Sequence, residues 1–214
     1  MKQKLFLLGA SGHAKMIIES IQGNPMWELT CCLDAPSSSI SKIFDIPVET
    51  ETKSRLDELR LAGYQGFVAL GDNRIRRKLS QMLDSLGIAQ PIIIHPSAVI
   101  SRSARIGAGS IIMPGVVVGA SCQIGEGVIL NTASHIDHDG VVGDYCHVGP
   151  GCHLAGNVTI DEGAFLGVGT SVIPQVSVRK WSVTGAGTVV IRDIPEGEVW
   201  VGNPARCLRG KPNS

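Results

Sequence analysis

No stretch of the 214 residues approaches the roughly 20 consecutive apolar residues that a bilayer-spanning helix needs. The early run Leu5-Phe6-Leu7-Leu8 is too short for the apolar core of a secretory signal and is ended by Gly9, so it reads as a first strand. A soluble, cytoplasmic protein with no membrane partner is expected. Charge of one sign is missing as well. Lys+Arg and Asp+Glu number 19 each, which leaves no basic excess to draw a polyanion and removes nucleic acid from the expected partners. The six cysteines (Cys31, Cys32, Cys122, Cys146, Cys152, Cys207) have neither the C-x-x-C spacing of a zinc site nor the density of a secreted disulfide framework, and they fit reduced thiols in the cytosol. What remains is a globular balance, 43% hydrophobic and 18% charged, long enough for one large domain or two modest ones.

The strongest pattern lies in the second half. From Ile100 an aliphatic residue returns every six positions through Ile106, Ile112, Val118, Ile124 and Leu130, and onward without a failure to Val178. If Ile, Leu and Val make up roughly a quarter of an ordinary sequence, chance produces such a run in far fewer than one chain in a million. Two positions before each aliphatic sits a small or slim residue, among them Cys122, Cys146 and Cys152, which explains three cysteines as packing. Six is a poor fit to helical periods, so short strands joined by tight turns are left. Glycines directly after many of the aliphatics (Gly107, Gly119, Gly125, Gly143, Gly149, Gly167) suit a chain that turns a corner there. The period predicts a parallel β-helix with three strands in each 18-residue coil, a triangular prism.

The first half has a different grammar. Lys4–Leu8 reads as a strand, Gly9-Ala10-Ser11-Gly12-His13 as a tight turn, and Ala14–Ile21 as a helix, which together open a βαβ unit. A second strand, Leu29–Leu33, ends at Asp34; a third, Gly66–Leu70, ends at Gly71-Asp72-Asn73 before a basic helix over 74–86. Strand C-termini and a glycine-rich helix N-terminus are where open α/β sheets hold nucleotides and phosphates. The dinucleotide fingerprint G-x-G-x-x-G is absent, and solvated glycine-rich turns account for the same residues. The expected division is a nucleotide-sugar-binding α/β domain over 1–94 and a β-helix over 95–214.

A small Rossmann-like α/β domain carrying Gly-Ala-Ser-Gly-His at its first turn, joined through Pro91-Ile-Ile-Ile-His95-Pro96 to a hexapeptide prism, resembles the bacterial hexapeptide-repeat sugar acyltransferases. That group acts on UDP-linked 4-amino sugars, with a sister branch acting on sialic acids. The resemblance covers essentially the whole chain. It implies a left-handed β-helix, a homotrimer with active sites between subunits, acetyl-CoA as co-substrate, and a place in surface polysaccharide or glycan synthesis. It also implies that Ser11, Gly12, His13 and Asp34, with Gly71 and Asn73 as lesser candidates, hold the nucleotide-linked amino sugar.

Three histidines cluster in one segment of the repeat: His135, His138 and His147. His138 falls on a corner position and is followed by Asp139, a carboxylate able to orient the ring and stabilise its protonated form. One 18-residue coil later stands Gly156, with no side chain to block a ligand. The family motif, a histidine and an acid followed by an apolar-Gly-acid stretch and a second histidine, matches His138, Asp139, Val142-Gly143-Asp144 and His147. By resemblance His138 is the general base, Asp139 raises its basicity and His147 contacts the acyl-CoA. Val168 and Ala186 then match CoA-wall positions on later coils, the Gly156 N–H is a candidate oxyanion donor, and Arg206 in the closing Val201-Gly-Asn-Pro-Ala-Arg206 is a candidate phosphate contact. No metal is implied. Three rival readings stand beside this one: an O-acetyltransferase for a sialic-acid-like sugar, a zinc-dependent β-helix carbonic anhydrase, and a non-catalytic scaffold.

Overall fold

In the computed structural model, which describes residues 2–22 and 26–209, the chain divides into two units between Ile93 and Ile94. The first unit runs β1 (Gln3–Leu8), α1 (Gly12–Ile21), β2 (Trp27–Asp34), β3 (Lys42–Ile43), β4 (Ile46–Thr50), α2 (Lys53–Leu61), β5 (Gln65–Val68) and α3 (Asn73–Ser85). Its sheet has the order β3-β4-β2-β1-β5 and is parallel except for the β3–β4 pair. The chain moves outward from β1 through β2 to β4 and then returns to place β5 on the other side of β1. The direction therefore switches between β1 and β5, the place where open parallel sheets bind ligands beyond their strand C-termini. Phe6, Leu8, Cys31 and Leu33 bury one face of the sheet in a cluster with Leu56, Leu59 and Leu83 from α2 and α3. The hairpin strands and α2 escape a reading by pattern for a physical reason. β3 has only two residues, β4 contains Pro47, and α2 buries only Leu56 and Leu59, too few to set a helical period.

In the second unit a two-residue strand recurs every six residues, from Ile93–Ile94 to Val189–Val190. Up to Ser171–Val172 each pairs in parallel with the strand 18 residues later, as Val117–Val118 does with His135–Ile136, whereas Val183–Thr184 pairs with Val199–Trp200, 16 residues on. Three faces result. The outward residues of the first are Val117, His135, His153 and Ser171; of the second, Gln123, Val141, Thr159 and Ser177; of the third, Ile129, His147, Phe165 and Val183. The repeated aliphatics point inward and are buried from Ile112 to Val178, while Ile100 and Ile106 in the first coil are only half-buried. The small residues two positions earlier are buried too. Cys122, Cys146 and Cys152 do more than pack: their thiols lie 2.9, 2.9 and 3.1 Å from the carbonyls of Asp137, Asp161 and Gly167, and Ser110 donates to Gly125 at 2.8 Å in the same way. The inward series also outlasts the aliphatic pattern. Thr184 takes the next position, buried, with its hydroxyl 2.8 Å from that of Thr170, and Val190 follows. A closing antiparallel pair, Val199–Val201 with Arg206–Arg209, ends the stack.

The corners correct the expectation about glycine. The left-handed backbone conformation falls three residues before each inward side chain, at every sixth position from Gly109 to Gly187, and seven of these fourteen residues are not glycine. The glycines directly after the aliphatics have another role. A Cβ on Gly119 would stand 2.9 Å from the Asp137 carbonyl carbon, and one on Gly143 would stand 2.8 Å from the Glu162 nitrogen. Those positions are bare because the next coil passes too close for a side chain, not because the chain needs a forbidden φ there.

Candidate active site

Strand Ile136 delivers the chain to the edge between the first and second faces, where Asp137, His138 and Asp139 make the turn. Asp139 occupies the left-handed position (φ 57°), which Asp tolerates better than most residues. From there its Oδ2 lies 2.8 Å from His138 Nδ1. A carboxylate can only accept, so Nδ1 carries the proton and Nε2 is left as the basic atom. On the other side, Asp137 Oδ1 accepts the backbone N–H of His138 at 2.7 Å. The Asp139 hydrogen bond, followed by the negative charge of Asp137, raises the His138 pKa above its ordinary value. Gly156 sits directly above: a Cβ there would fall 2.6 Å from both Cε1 and Nε2 of the ring. The expected stacking of Gly156 over His138 is present, and it leaves the basic nitrogen uncovered by any side chain of residue 156.

Beside this edge the first face holds a groove of about 380 Å³, lined by His135, Asp137, His153, Ser171 and Pro174 among others. His135 and His153, one coil apart, meet edge to face with ring centres 6.2 Å apart. Thiol chemistry is disfavoured in this prism. Burial raises the Cys152 thiol to about 11 and pushes Cys122 up as well, so both stay protonated near neutrality.

The structure does not bring all the expected acyl-CoA contacts to this edge. His147 follows His138 by nine residues, half of an 18-residue coil, and therefore projects from the third face, opposite the His138 edge. There Asn131 Nδ2 lies 3.0 Å from His147 Nε2, and Phe165 packs edge to face on the His147 ring at 5.0 Å. Asn131 escaped the sequence reading, although it stands 16 residues before His147 and so nearly one coil below. Val168 and Ala186 stack on the edge between the third and first faces, both exposed. Arg206 is exposed at the start of the closing strand, with Nη1 bonded to the Ala205 carbonyl.

In the first unit, Ser11, Gly12 and His13 open α1 beyond the C-terminus of β1, and Asp34 ends β2 beside it. Ser11 is the N-cap residue, yet its hydroxyl caps no backbone N–H, and nothing lies within 4 Å of where a Gly12 Cβ would be. The first turn of α1 is open to an anion. The turn after β5 differs. Asp72 caps α3 by accepting from Ile75 N at 2.8 Å, which sets a carboxylate where a phosphate would otherwise go. Asn73 is buried with its side-chain oxygen taken by Arg76 Nη2 at 2.9 Å, and Arg76, also buried, donates to the carbonyls of Leu70 and Gly71. Gly71 and Asn73 thus serve to brace this loop, and the arginine that braces it was not singled out in the sequence.

Comparison with known proteins bears on both units. Residues 4–83 match the PglD N-terminal domain family, and residues 88–194 match the GMPPB C-terminal domain family. PerB from Caulobacter crescentus, solved with CoA and GDP-perosamine, is 39% identical with a TM-score of 0.90 over 97% of both chains. The chain belongs to the hexapeptide-repeat sugar N-acetyltransferases. A second family member, the acetyltransferase domain of PglB from Neisseria gonorrhoeae FA1090, is 37% identical with a TM-score of 0.91 over 97% of this chain and all of that one. UDP-N-acetylbacillosamine N-acetyltransferase of Bacillus subtilis (strain 168) is 38% identical over 110 residues, a match that spans about half the length of that relative (49%). The family's fold, a small Rossmann-like domain and a left-handed parallel β-helix, is the one expected from the hexapeptide pattern and the Gly-Ala-Ser-Gly-His turn.

Proposed function

We propose that this chain transfers the acetyl group of acetyl-CoA to the amine of a nucleotide-linked 4-amino-4,6-dideoxy sugar, with His138 as general base. The observation that carries the reading is the His138 edge: Nδ1 held by Asp139 at 2.8 Å, and Nε2 exposed beneath a residue that has no side chain. The sugar amine attacks the thioester carbon, forming the C–N bond. Nε2 takes the proton that the nitrogen loses, and the C–S bond breaks as the tetrahedral intermediate collapses. The imidazolium then returns its proton to the CoA thiolate, giving an acetamido sugar and CoA with the histidine neutral again. Alignment of the two substrates supplies much of the rate, and the Gly156 N–H is the proposed oxyanion donor.

The nucleotide end is assigned to the first unit, with its phosphates at the open first turn of α1 through Ser11, Gly12 and His13, and with Asp34 accepting from a sugar or base hydroxyl. The relatives carry different nucleotides in their names, GDP for PerB and UDP for the Bacillus enzyme. UDP is the carrier we propose. Acetyl-CoA is assigned to the surface of His147, Val168 and Ala186, with Arg206 meeting a phosphate. Because His147 and His138 lie on opposite sides of one prism, a second copy is needed to bring them to one thioester, which supports a homotrimer with sites between subunits.

The test is release of free CoA thiol from acetyl-CoA, measured with UDP-, GDP- and dTDP-linked 4-amino sugars and their 4-hydroxy counterparts. Turnover with an amino sugar, lowered by roughly 10²- to 10⁴-fold in His138→Ala, is expected for loss of a general base. Turnover confined to hydroxyl acceptors, or full activity in the variant, would overturn the assignment.

A further inference from the structure

The groove on the first face opens beside the base. One wall of it climbs a single column of the edge through Asp137, Ala155 and Ile173, each one coil above the last. The residues that follow these three along the chain form the column of the base: His138, Gly156 and Pro174. Gly156 leaves the space over Nε2 free of any side chain of its own. Pro174, one coil above Gly156, is itself a groove residue, so the gap at Gly156 is bounded from above by the groove's own wall. Half-buried Ala155, Ile173 (41% exposed) and Pro174 give that wall an apolar surface, while His135, His153 and Ser171 line the groove from the strands of the face. At about 380 Å³ the groove falls within the range of small-ligand pockets, about 300–1,000 Å³, and a methyl group would leave most of it empty.

We infer that this groove receives the alkyl chain of the acyl donor, and that the enzyme therefore also transfers straight-chain acyl groups longer than acetyl, propionyl and butyryl, from their CoA thioesters to the same amine. The inference rests on the acetyl-transfer reading above. For Nε2 to assist the attack, the thioester carbon must stand at the Gly156 gap. Of its three substituents, the sulfur leads to CoA and the oxygen to the oxyanion donor. The alkyl group has no hydrogen bond to make, and the column of Ala155, Ile173 and Pro174 is an apolar surface that begins at that gap. A pyranose with its hydroxyls, or the amide-bearing arm of CoA, would bring donors and acceptors to a wall whose side chains offer none. The chemistry is unchanged and balances. The neutral amine attacks, the C–N bond forms, the C–S bond breaks, and the one proton that the nitrogen loses passes through Nε2 to the CoA thiolate. The products are an N-propionyl or N-butyryl sugar and CoA.

The experiment compares acetyl-, propionyl- and butyryl-CoA in wild type, Ala155→Leu and Ser171→Phe, with the amino sugar that wild type turns over best. Free CoA thiol gives the rate, and the mass of the acylated sugar identifies the product. The outward column of Ser171 already holds the rings of His135 and His153 on the two coils below, so an aromatic ring has precedent there. Thermal melting of both variants checks that the prism is intact. Each further methylene buried against the wall gains at most about fourfold in binding, whereas a site closed behind a methyl group rejects one by roughly 10- to 200-fold. Wild type should therefore use propionyl- and butyryl-CoA with kcat/KM within about tenfold of acetyl-CoA. Filling the groove should lower the butyryl-to-acetyl ratio by at least about tenfold in both variants. Turnover of acetyl-CoA with propionyl-CoA rejected by more than about tenfold overturns the inference and leaves the acetyl-transfer reading standing. So does a ratio unchanged in both folded variants, or a loss that is equal for all three donors. A wild type inert toward every amino sugar with acetyl-CoA would defeat the acetyl-transfer reading itself and this inference with it.

Discussion

Gly156 stands one coil above His138, so close that a Cβ on it would sit 2.6 Å from the imidazole Nε2. Gly156 does not have a left-handed φ, so alanine there meets no backbone strain. The atoms it would strike belong to the end of a side chain that is 55% exposed and able to rotate away. Gly156→Ala should therefore keep the fold, with a melting temperature within a few degrees of wild type, while displacing His138 and lowering kcat by at least about tenfold. Thermal melting and CoA-thiol release on the same preparation check the two halves of this expectation.

The pH profile should report the Asp139 pair. His138 accepts a proton only when neutral, and its pKa is raised by Asp139 first and Asp137 second. Activity in wild type should therefore fall as pH drops through a value above that of an ordinary histidine. Asp139→Asn removes the larger cause, so the His138 pKa falls and the acid limb of kcat/KM moves to lower pH. At the same time the plateau rate drops, because a less basic and less well-oriented nitrogen takes the proton more slowly. An acid limb that stays in place would show that the titrating group is not His138.

The opposite placement of His138 and His147 makes a prediction about assembly. Two impaired variants, His138→Ala and His147→Ala, should complement each other when co-expressed in equal amounts. Random assembly leaves about a quarter of sites with both histidines intact, so activity should recover to roughly that share of wild type. Mixed preparations no more active than the two variants averaged would mean that each subunit forms its own site.

Stability should separate the two classes of corner glycine. Gly143→Ala drives a Cβ to 2.8 Å from the Glu162 backbone nitrogen, and overpacking of this kind costs about 1–3 kcal/mol. Gly151, in the left-handed position with nothing within 4 Å of its absent Cβ, should accept asparagine at a cost within about 1 kcal/mol. Urea midpoints of the two variants against wild type measure the difference.

The repeat was legible because its period is an integer number of residues. Once six residues make a strand and a corner, 18 make a coil, and the neighbour above any residue follows by addition: Gly156 over His138 required no coordinates. The same addition places His147 half a coil from His138, on the far side of the prism. In the first unit the strand-turn-helix at Leu8 to Ala14 was visible for a similar reason, since its apolar run and glycines are local signals. What only the tertiary structure decided are contacts between chain segments that no spacing encodes. Gly143 is bare because of the backbone of Glu162, not because of its own φ. Asn73 is turned inward because Arg76 takes its oxygen. Asp137 is held beside the groove by the Cys122 thiol, the Leu154 carbonyl and the His138 N–H. Sequence determines which residues share a face, because covalent spacing fixes that; which of their polar atoms are already engaged is decided by packing in three dimensions.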